Sequence, residues 1–225
     1  MKRTIKVLII EDEPLIINVY ERTLLNVASK NETLSFDIQS AVNCDQAMLK
    51  LNKVGKDDGF DLIFLDMRIP KSKRGHILCG EDLGIKIKNK FKKTKVVVST
   101  SYDDAYRIYS ILQNLDPDGL LVKRDLTTPL LYEAIEKVIV EPPFYSHTVM
   151  KLFRKQSTND FVVDNIDRKM LYELANGTKM NELPQILPLS IAALERRKRI
   201  LKDIFNVHSK GDRDLLLSAR ERGFI

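Results

Sequence analysis

Asp66 closes an apolar run, FDLIFLD, and four other polar residues close three similar runs. Glu11 and Asp12 end KVLIIED, Thr100 ends KVVVST, and Lys123 ends GLLVK. The residue types suit phosphoryl transfer to a carboxylate, which needs positioning and charge neutralisation more than covalent help. An aspartate oxygen can approach phosphorus only if its own negative field is screened. Glu11, Asp12 and Asp66 gathered together repel one another and invite a divalent cation, Mg²⁺ or Mn²⁺. Such an ion takes a few carboxylates, waters and phosphoryl oxygens. The backbone carbonyl of Arg68, two residues past Asp66, could complete the set. Lys123 can pair with a phosphoryl oxygen, and the Thr100 hydroxyl can donate to another.

Taken singly, each residue also reads as an ordinary loop group. A strand can end in a solvated acid, Glu-Asp before a helix can be charge placed against the helix dipole, and a lysine after a strand is usually just exposed. The joint pattern carries more weight, because each run must end in the right type and in the right order. That order has meaning only if the runs are parallel strands. Their C-terminal ends then share one edge, where open α/β sheets bind ligands.

The surrounding chain supplies such strands. Apolar, β-branched or Leu-rich stretches at 5–10, 36–41, 60–65, 96–99 and 120–122 predict five strands. Helical patterns follow each at 14–29, 45–54, 81–91, 103–112 and 129–140. Pro14 suits a first helical turn, and Asn43 or Cys44 and Thr127 or Thr128 suit helix starts. Five βα units imply a parallel sheet covered by helices on both faces. Pro142-Pro143 stops the fifth helix. Residues 141–162 read as a linker with a possible helical middle.

The last stretch, 163–225, is helical in pattern, with helices expected at 166–175, 180–187, 190–205 and 212–222. Asn176-Gly177 is a stop signal, and Ser190 is an N-cap opening a long basic helix. Charge divides unevenly. From residue 151 onward there are 15 Lys and Arg against 10 Asp and Glu; the first 150 residues hold 22 against 21. A basic small domain beside a near-neutral one points to a polyanion partner.

Composition narrows the rest. Of the 225 residues, 44% are hydrophobic and 30% charged, which fits a folded, soluble chain. No apolar run approaches the roughly 20 residues of a membrane helix, and the N-terminal apolar stretch runs straight into acids without a cleavage site. A cytoplasmic protein without membrane contact is expected. Cys44 and Cys79 read as two ordinary reduced thiols. His76, His147 and His208 are too scattered to build a metal site.

Taken together, VLIIEDEP, IFLDMRIP, VVVSTSYDD and DGLLVKRDL resemble the receiver domain of bacterial two-component response regulators across residues 1–140. The resemblance implies an α/β, flavodoxin-like (βα)5 fold with sheet order 2-1-3-4-5. It also implies Mg²⁺-dependent phosphoryl transfer from the phosphohistidine of a sensor histidine kinase or phosphotransfer protein. Asp66 would be the acceptor, Glu11 and Asp12 the metal holders, Thr100 the switch hydroxyl, and Lys123 the phosphate contact. No catalytic turnover is expected beyond self-phosphorylation from a phosphodonor and slow autodephosphorylation.

The tail resembles the LuxR-type (NarL-like) helix-turn-helix domain through MLYELANGTKMNELPQILPLSIAALERRKRILKDIFNV and LLLSARERGFI. That implies a small all-α domain which binds double-stranded promoter DNA, with a homodimer on activation. Glu195, Arg196 and Arg199 fall at base-reading positions. Lys179, Arg197, Lys198 and Lys202 are phosphate candidates, and Ser190 opens the recognition helix. Leu194, Leu201 and Phe205 form its apolar stripe.

Departures qualify both resemblances. Leu120 stands where the receiver family has an aromatic, and Arg124 where it has a proline. A cis bond at Lys123–Arg124 would cost about 3 kcal/mol, so trans or an altered loop is expected. A basic insertion separates Pro70 from Gly80 and is expected to overhang the site. In the tail, Glu195 and Pro184 are unusual. A tail that binds protein instead of DNA is therefore the alternative reading. A phosphatase is disfavoured, because Asp66-Met67-Arg68 lacks a second acid two residues on.

Overall fold

The computed structural model describes residues 2–55, 59–73, 77–155, 162–207 and 210–225. The chain divides into two compact units, one of residues 1–103 with 115–157 and one of 104–114 with 158–225.

In the first unit, β1 (Arg3–Ile10), β2 (Leu34–Ala41), β3 (Leu62–Asp66), β4 (Lys95–Thr100) and β5 (Gly119–Val122) alternate with α1 (Pro14–Lys30), α2 (Cys44–Lys53), α3 (Gly80–Lys90) and α5 (Thr128–Val140). Between β4 and β5 the chain forms α4 (Ala105–Leu115). The strands are parallel in the order β2-β1-β3-β4-β5-β6. The first five follow the expected order. The sixth, β6 (Phe144–Tyr145), and the helix after it, α6 (His147–Lys155), lie in the segment expected to be a linker. Aromatic Phe144 and Tyr145 favour an extended chain and pair beside Gly119 and Leu120. Residues 156–161 of that segment lie outside the described residues.

Side chains alternate across the sheet. Ile5, Val7, Ile9, Leu62, Phe64, Val97 and Leu121 are buried with α1 and α5 residues such as Leu24, Val27, Leu131 and Ile135. Tyr20 of α1 stacks on Phe64 at 4.6 Å. The intervening residues Leu8, Ile10, Ile63 and Leu65 are equally buried, and α2 and α3 contribute buried Ala47, Leu51, Leu83 and Ile87. Burial on both faces explains why the central strands are continuous apolar runs. Asn43 caps α2 by accepting from the Gln46 N–H, and Thr127 caps α5 by accepting from the Leu130 N–H.

The second unit packs α7 (Asn165–Ala175), α8 (Ile191–Ile204) and α9 (Asp212–Glu221) around Met170, Leu171, Leu183, Leu187, Leu194, Leu201, Phe205, Leu215 and Phe224. Gly177, at φ +94°, ends α7 as expected, and the Thr178 N–H returns to the Glu173 carbonyl at 3.1 Å. The helix expected over 180–187 shrinks to a 3₁₀ turn, Leu183–Gln185. Pro184 has no N–H for the Met180 carbonyl and Pro188 none for the Pro184 carbonyl, so the ladder cannot extend beyond the Leu187 N–H to Leu183 carbonyl bond at 2.8 Å.

Helix α4 belongs with this unit by its contacts, although βα alternation assigns it to the first. The Ser110 hydroxyl donates to the Val163 carbonyl at 2.6 Å, and the Asn114 amide donates to the same oxygen at 3.0 Å. Buried Arg107 sits 5.3 Å from the Phe224 ring centre. Arg222 lies over both Tyr106 and Phe205, at 5.6 and 5.2 Å.

Candidate functional site

Strand register brings the chemistry-bearing residues of the first unit to one edge. Ile10 pairs with Leu65, so Glu11 follows beside Asp66. Asp66 pairs with Ser99, one residue before Thr100. Thr100 pairs with Val122, one residue before Lys123. All five residues expected from the sequence therefore stand at the C-terminal ends of β1, β3, β4 and β5.

One carboxylate oxygen from each of Glu11, Asp12 and Asp66 lies within 4.8 Å of the others. Glu11 and Asp66 are buried, while Asp12 is exposed. The Lys123 ammonium stands 2.8 Å from Glu11 Oε2 and 3.0 Å from Asp66 Oδ2, with the exposed Glu13 at 3.6 Å. The other Asp66 oxygen accepts the Arg68 N–H at 3.1 Å. Burial pushes the Glu11 carboxyl up to about 7, the Asp66 charge adds to this, and the bond from Lys123 opposes it. Burial pulls the Lys123 ammonium down, but its bonds to Glu11 and Asp66 outweigh that and hold its pKa above the ordinary value. The donor set is hard oxygen with one open, solvated carboxylate, which fits a small divalent cation.

Thr100 is fully buried, and its hydroxyl oxygen accepts the Tyr102 N–H at 3.1 Å. The Arg68 side chain reaches across to Tyr102, 4.8 Å from the ring centre. The pair lies two residues past Asp66 and Thr100, and the Arg68 N–H bonds Asp66 itself. If it shields a phosphoryl group from water, the Arg68→Asn, Tyr102→Ala double variant should release phosphate faster. A change on the order of ten-fold corresponds to about 1.4 kcal/mol in the barrier. Release rates of radiolabelled phosphate would measure it, and a slower or unchanged rate would contradict the shielding.

Sequence reasoning missed the support behind Lys123. The segment Lys123–Asp125 is a 3₁₀ turn, and the Lys123–Arg124 bond is trans; among the described residues a cis bond occurs at Pro142–Pro143. The Asp125 carboxylate accepts from the Ser146 hydroxyl at 2.6 Å and from the Thr148 N–H and hydroxyl at 2.8 Å. These bonds overcome the effect of burial and hold the Asp125 pKa below its usual value. Ser146 in turn accepts the Val122 N–H at 3.1 Å, and Arg124 pairs with Asp103. The β6–α6 junction thus braces the turn that follows Lys123. The Ser-x-Thr after an aromatic pair was the available signal.

The insertion is pinned at its base. Ser72 and Ile77 exchange backbone and hydroxyl bonds, and the Lys73 N–H reaches Asp45 at 3.1 Å. Its middle, including His76, lies outside the described residues, as does His208.

In the second unit, Ser190 caps α8 by accepting the Ala193 N–H at 3.3 Å. Leu194, Leu201 and Phe205 point into the core, leaving Glu195, Arg196 and Arg199 exposed, with Lys179 also exposed nearby in sequence. The other basic candidates are engaged within the unit. Arg197 reaches Asp164 at 2.8 Å and Asp167 at 3.0 Å. Lys198 and Lys202, one turn apart, hold Asp212 at 2.9 and 2.8 Å. Their expected role as phosphate donors competes with these ion pairs, which arise because α8 turns this side toward the first turns of α7 and α9.

Asp167 is fully buried and closes a capping box with Asp164. Burial, followed by the Asp164 charge, raises its pKa to about 6 despite Arg197. Arg197→Ala should destabilise the chain on the order of 2 kcal/mol. That is less than a fully buried pair would lose, because the arginine is partly exposed. A folded-state pKa above the unfolded value means stability falls as pH rises through about 4 to 6. The deficit of the variant should therefore shrink in acid, where Asp167 takes a proton. Denaturant melts at pH 5 and pH 8 test this, and a pH-independent deficit would exclude the buried-charge explanation.

No family model and no curated protein matches the chain. Solved structures match it along nearly its whole length. RcsB from Salmonella enterica serovar Typhimurium, bound to promoter P1flhDC with the phosphomimetic BeF3⁻, is 20% identical over 96% of this chain and 98% of that one, at a TM-score of 0.62. The structure of two RcsB dimers bound to two parallel DNAs gives 19%, 97%, 98% and 0.58. The isolated REC domain of RcsB gives 19% over 67% of this chain and 99% of that one, at 0.54. The likeness establishes the fold: a flavodoxin-like receiver architecture followed by a helical C-terminal unit.

Proposed function

We propose that this chain is a DNA-binding response regulator. It takes a phosphoryl group onto Asp66 from a histidine kinase or phosphotransfer protein and regulates transcription through its C-terminal unit. The observation that carries this is the convergence of Glu11, Asp12, Asp66, Thr100 and Lys123 at one sheet edge. The same chain carries a capped basic helix whose Arg196 and Arg199 are exposed. The RcsB structures on DNA, with the same two-part architecture, support it.

In the transfer, an Asp66 carboxylate oxygen forms a bond to phosphorus while the phosphorus–nitrogen bond of the donor phosphohistidine breaks. The electron pair leaves with the imidazole, which takes a proton from solvent. Glu11, Asp12, Asp66 and the Arg68 carbonyl would hold Mg²⁺ or Mn²⁺, which neutralises charge on the phosphoryl oxygens. Lys123 gives up part of its hold on Asp66 to pair with the incoming group. The Thr100 hydroxyl, whose proton is not used by its bond from Tyr102, donates to another phosphoryl oxygen. Transfer is stoichiometric, without turnover beyond slow hydrolysis.

The modification replaces the single carboxylate charge of Asp66 with about two on the phosphoryl oxygens, a net gain of about one negative charge and three strong acceptors at the sheet edge. Thr100 leads through Tyr102 into α4, and α4 is bonded to the C-terminal unit through Ser110 and Asn114. Phosphorylation is proposed to favour a homodimer that binds paired half-sites on promoter DNA. Among the described residues no helix is long and apolar enough to cross a membrane, in keeping with a cytoplasmic regulator.

Salt dependence of binding to duplex DNA, with and without phosphodonor, tests this reading. DNA affinity should fall steeply with salt, and Arg196→Ala or Arg199→Ala should each weaken specific binding by about 1–3 kcal/mol and relax the sequence preference. Pro184 reduces the first element of the helix-turn-helix to a 3₁₀ turn, which keeps a protein-binding tail as the second reading. Binding without salt dependence, or none, would favour that reading.

A further inference from the structure

The first turn of α8 is unusual for a segment that reads bases. A helix-turn-helix sets the N-terminal residues of its second helix against base edges in the major groove. Here those residues are Ile191, Ala192 and Ala193, none of which can form a side-chain hydrogen bond. Ser190 is turned to the helix itself, its oxygen capping the Ala193 N–H. Ile191 is nonetheless 38% exposed and Ala192 is exposed, whereas Leu194 is fully buried and holds the helix to the core. The exposed part of this isoleucine, 38% of its surface, gains nothing in the free protein. It lies on the same helix as exposed Arg196 and Arg199, which favour a polyanion over an apolar protein surface as the occupant.

The only apolar group that DNA presents in the major groove is the C5-methyl of thymine. We propose that Ile191, flanked by Ala192, reads a thymine methyl, making an apolar contact the leading specificity element of this chain. This rests on the DNA-binding reading above and deepens it. Glu195 lies one turn further along the same exposed side, about 6 Å up the helix axis. As an acceptor Glu195 can take a bond from cytosine N4. The recognised half-site therefore carries both a thymine and a cytosine within reach of this one helix face. Arg196 and Arg199 supply the charge that holds the helix in the groove.

The test uses the full-length protein with Mg²⁺ and a small phosphodonor. Duplexes are recovered from a random-sequence pool, and the best binder is resynthesised with deoxyuridine at each thymine in turn. Uracil keeps every hydrogen-bonding group and loses only the methyl. Wild-type protein should bind about three- to five-fold more weakly when a contacted methyl is removed. Ile191→Ala should lose most of that thymine-over-uracil preference while keeping the wild-type salt slope. Leu217→Ala, an exposed apolar change on α9, should keep the preference. Equal wild-type binding to thymine and uracil duplexes, with sequence-specific and salt-dependent binding intact, would overturn the proposal and leave DNA binding standing. Absence of salt-dependent binding to any duplex would overturn both.

Discussion

Asp66→Asn protein incubated with Mg²⁺ and a small phosphodonor takes up no phosphoryl group, whereas the wild-type chain takes up one. The expected loss is complete because the asparagine amide oxygen cannot replace the carboxylate as nucleophile. The fold should survive. The Arg68 N–H can still bond the amide oxygen, and Lys123 keeps Glu11 at 2.8 Å. One of two buried, mutually repelling carboxylates is removed, so the melting temperature should stay near or above that of wild type. That combination separates lost chemistry from lost structure. Intact-mass measurement gives the labelling and a thermal melt gives the stability. Persistent labelling of a folded variant would remove Asp66 from the acceptor role, and DNA binding raised by phosphodonor in that variant would break the proposed coupling.

The second large effect comes from a residue with no chemistry of its own. Gly80 opens α3 where the insertion returns to the sheet, and its N–H bonds the Met67 carbonyl at 3.2 Å. A Cβ at this position would lie 1.9 Å from the Asp66 carbonyl oxygen and 2.8 Å from Met67 Cα. Both are backbone atoms of the turn at Asp66, so no rotamer change can relieve the clash. Gly80→Ala should cost about 3 kcal/mol or more, at the upper end of overpacking effects. For a chain of this size that lowers the melting temperature by roughly 6–12 °C. Phosphodonor labelling should fall with it, because the displaced backbone carries Asp66. Gly84→Ala is the comparison: its Cβ would meet side-chain carbons of Leu115 and Leu65 at 2.8 to 2.9 Å, and these can move. If Gly80→Ala melted and labelled as wild type does, the close approach of α3 to the Asp66 turn would be refuted.

Much of the site could be read from residue order because a parallel sheet converts order into place. Once 5–10, 60–65, 96–99 and 120–122 are strands, their closing residues must share an edge, and the register pairs Asp66 with Ser99 and Thr100 with Val122. Helix signals were equally local: Asn43, Thr127, Ser190 and Gly177 act within one turn of their own backbone. The helix expected over 180–187 failed for a local reason too, since the missing N–H of Pro184 outweighs the apolar spacing around it.

What residue order determined, then, was the set of groups at the C-terminal sheet edge, the parallel sheet that gathers them, and the basic helix opening at Ser190. Tertiary structure alone decided how those groups are committed. Arg196 and Arg197 are adjacent in ERRKR, yet one faces outward and the other is held by Asp164 and Asp167, more than 25 residues earlier. Ser146 and Thr148 brace the turn after Lys123 from a stretch that reads as linker, and α4 bonds the tail through the Val163 carbonyl. Each of these is a contact between distant segments. Hydrophobic periodicity says which face of a helix is buried, but not which charge or hydroxyl from elsewhere arrives to meet the polar one.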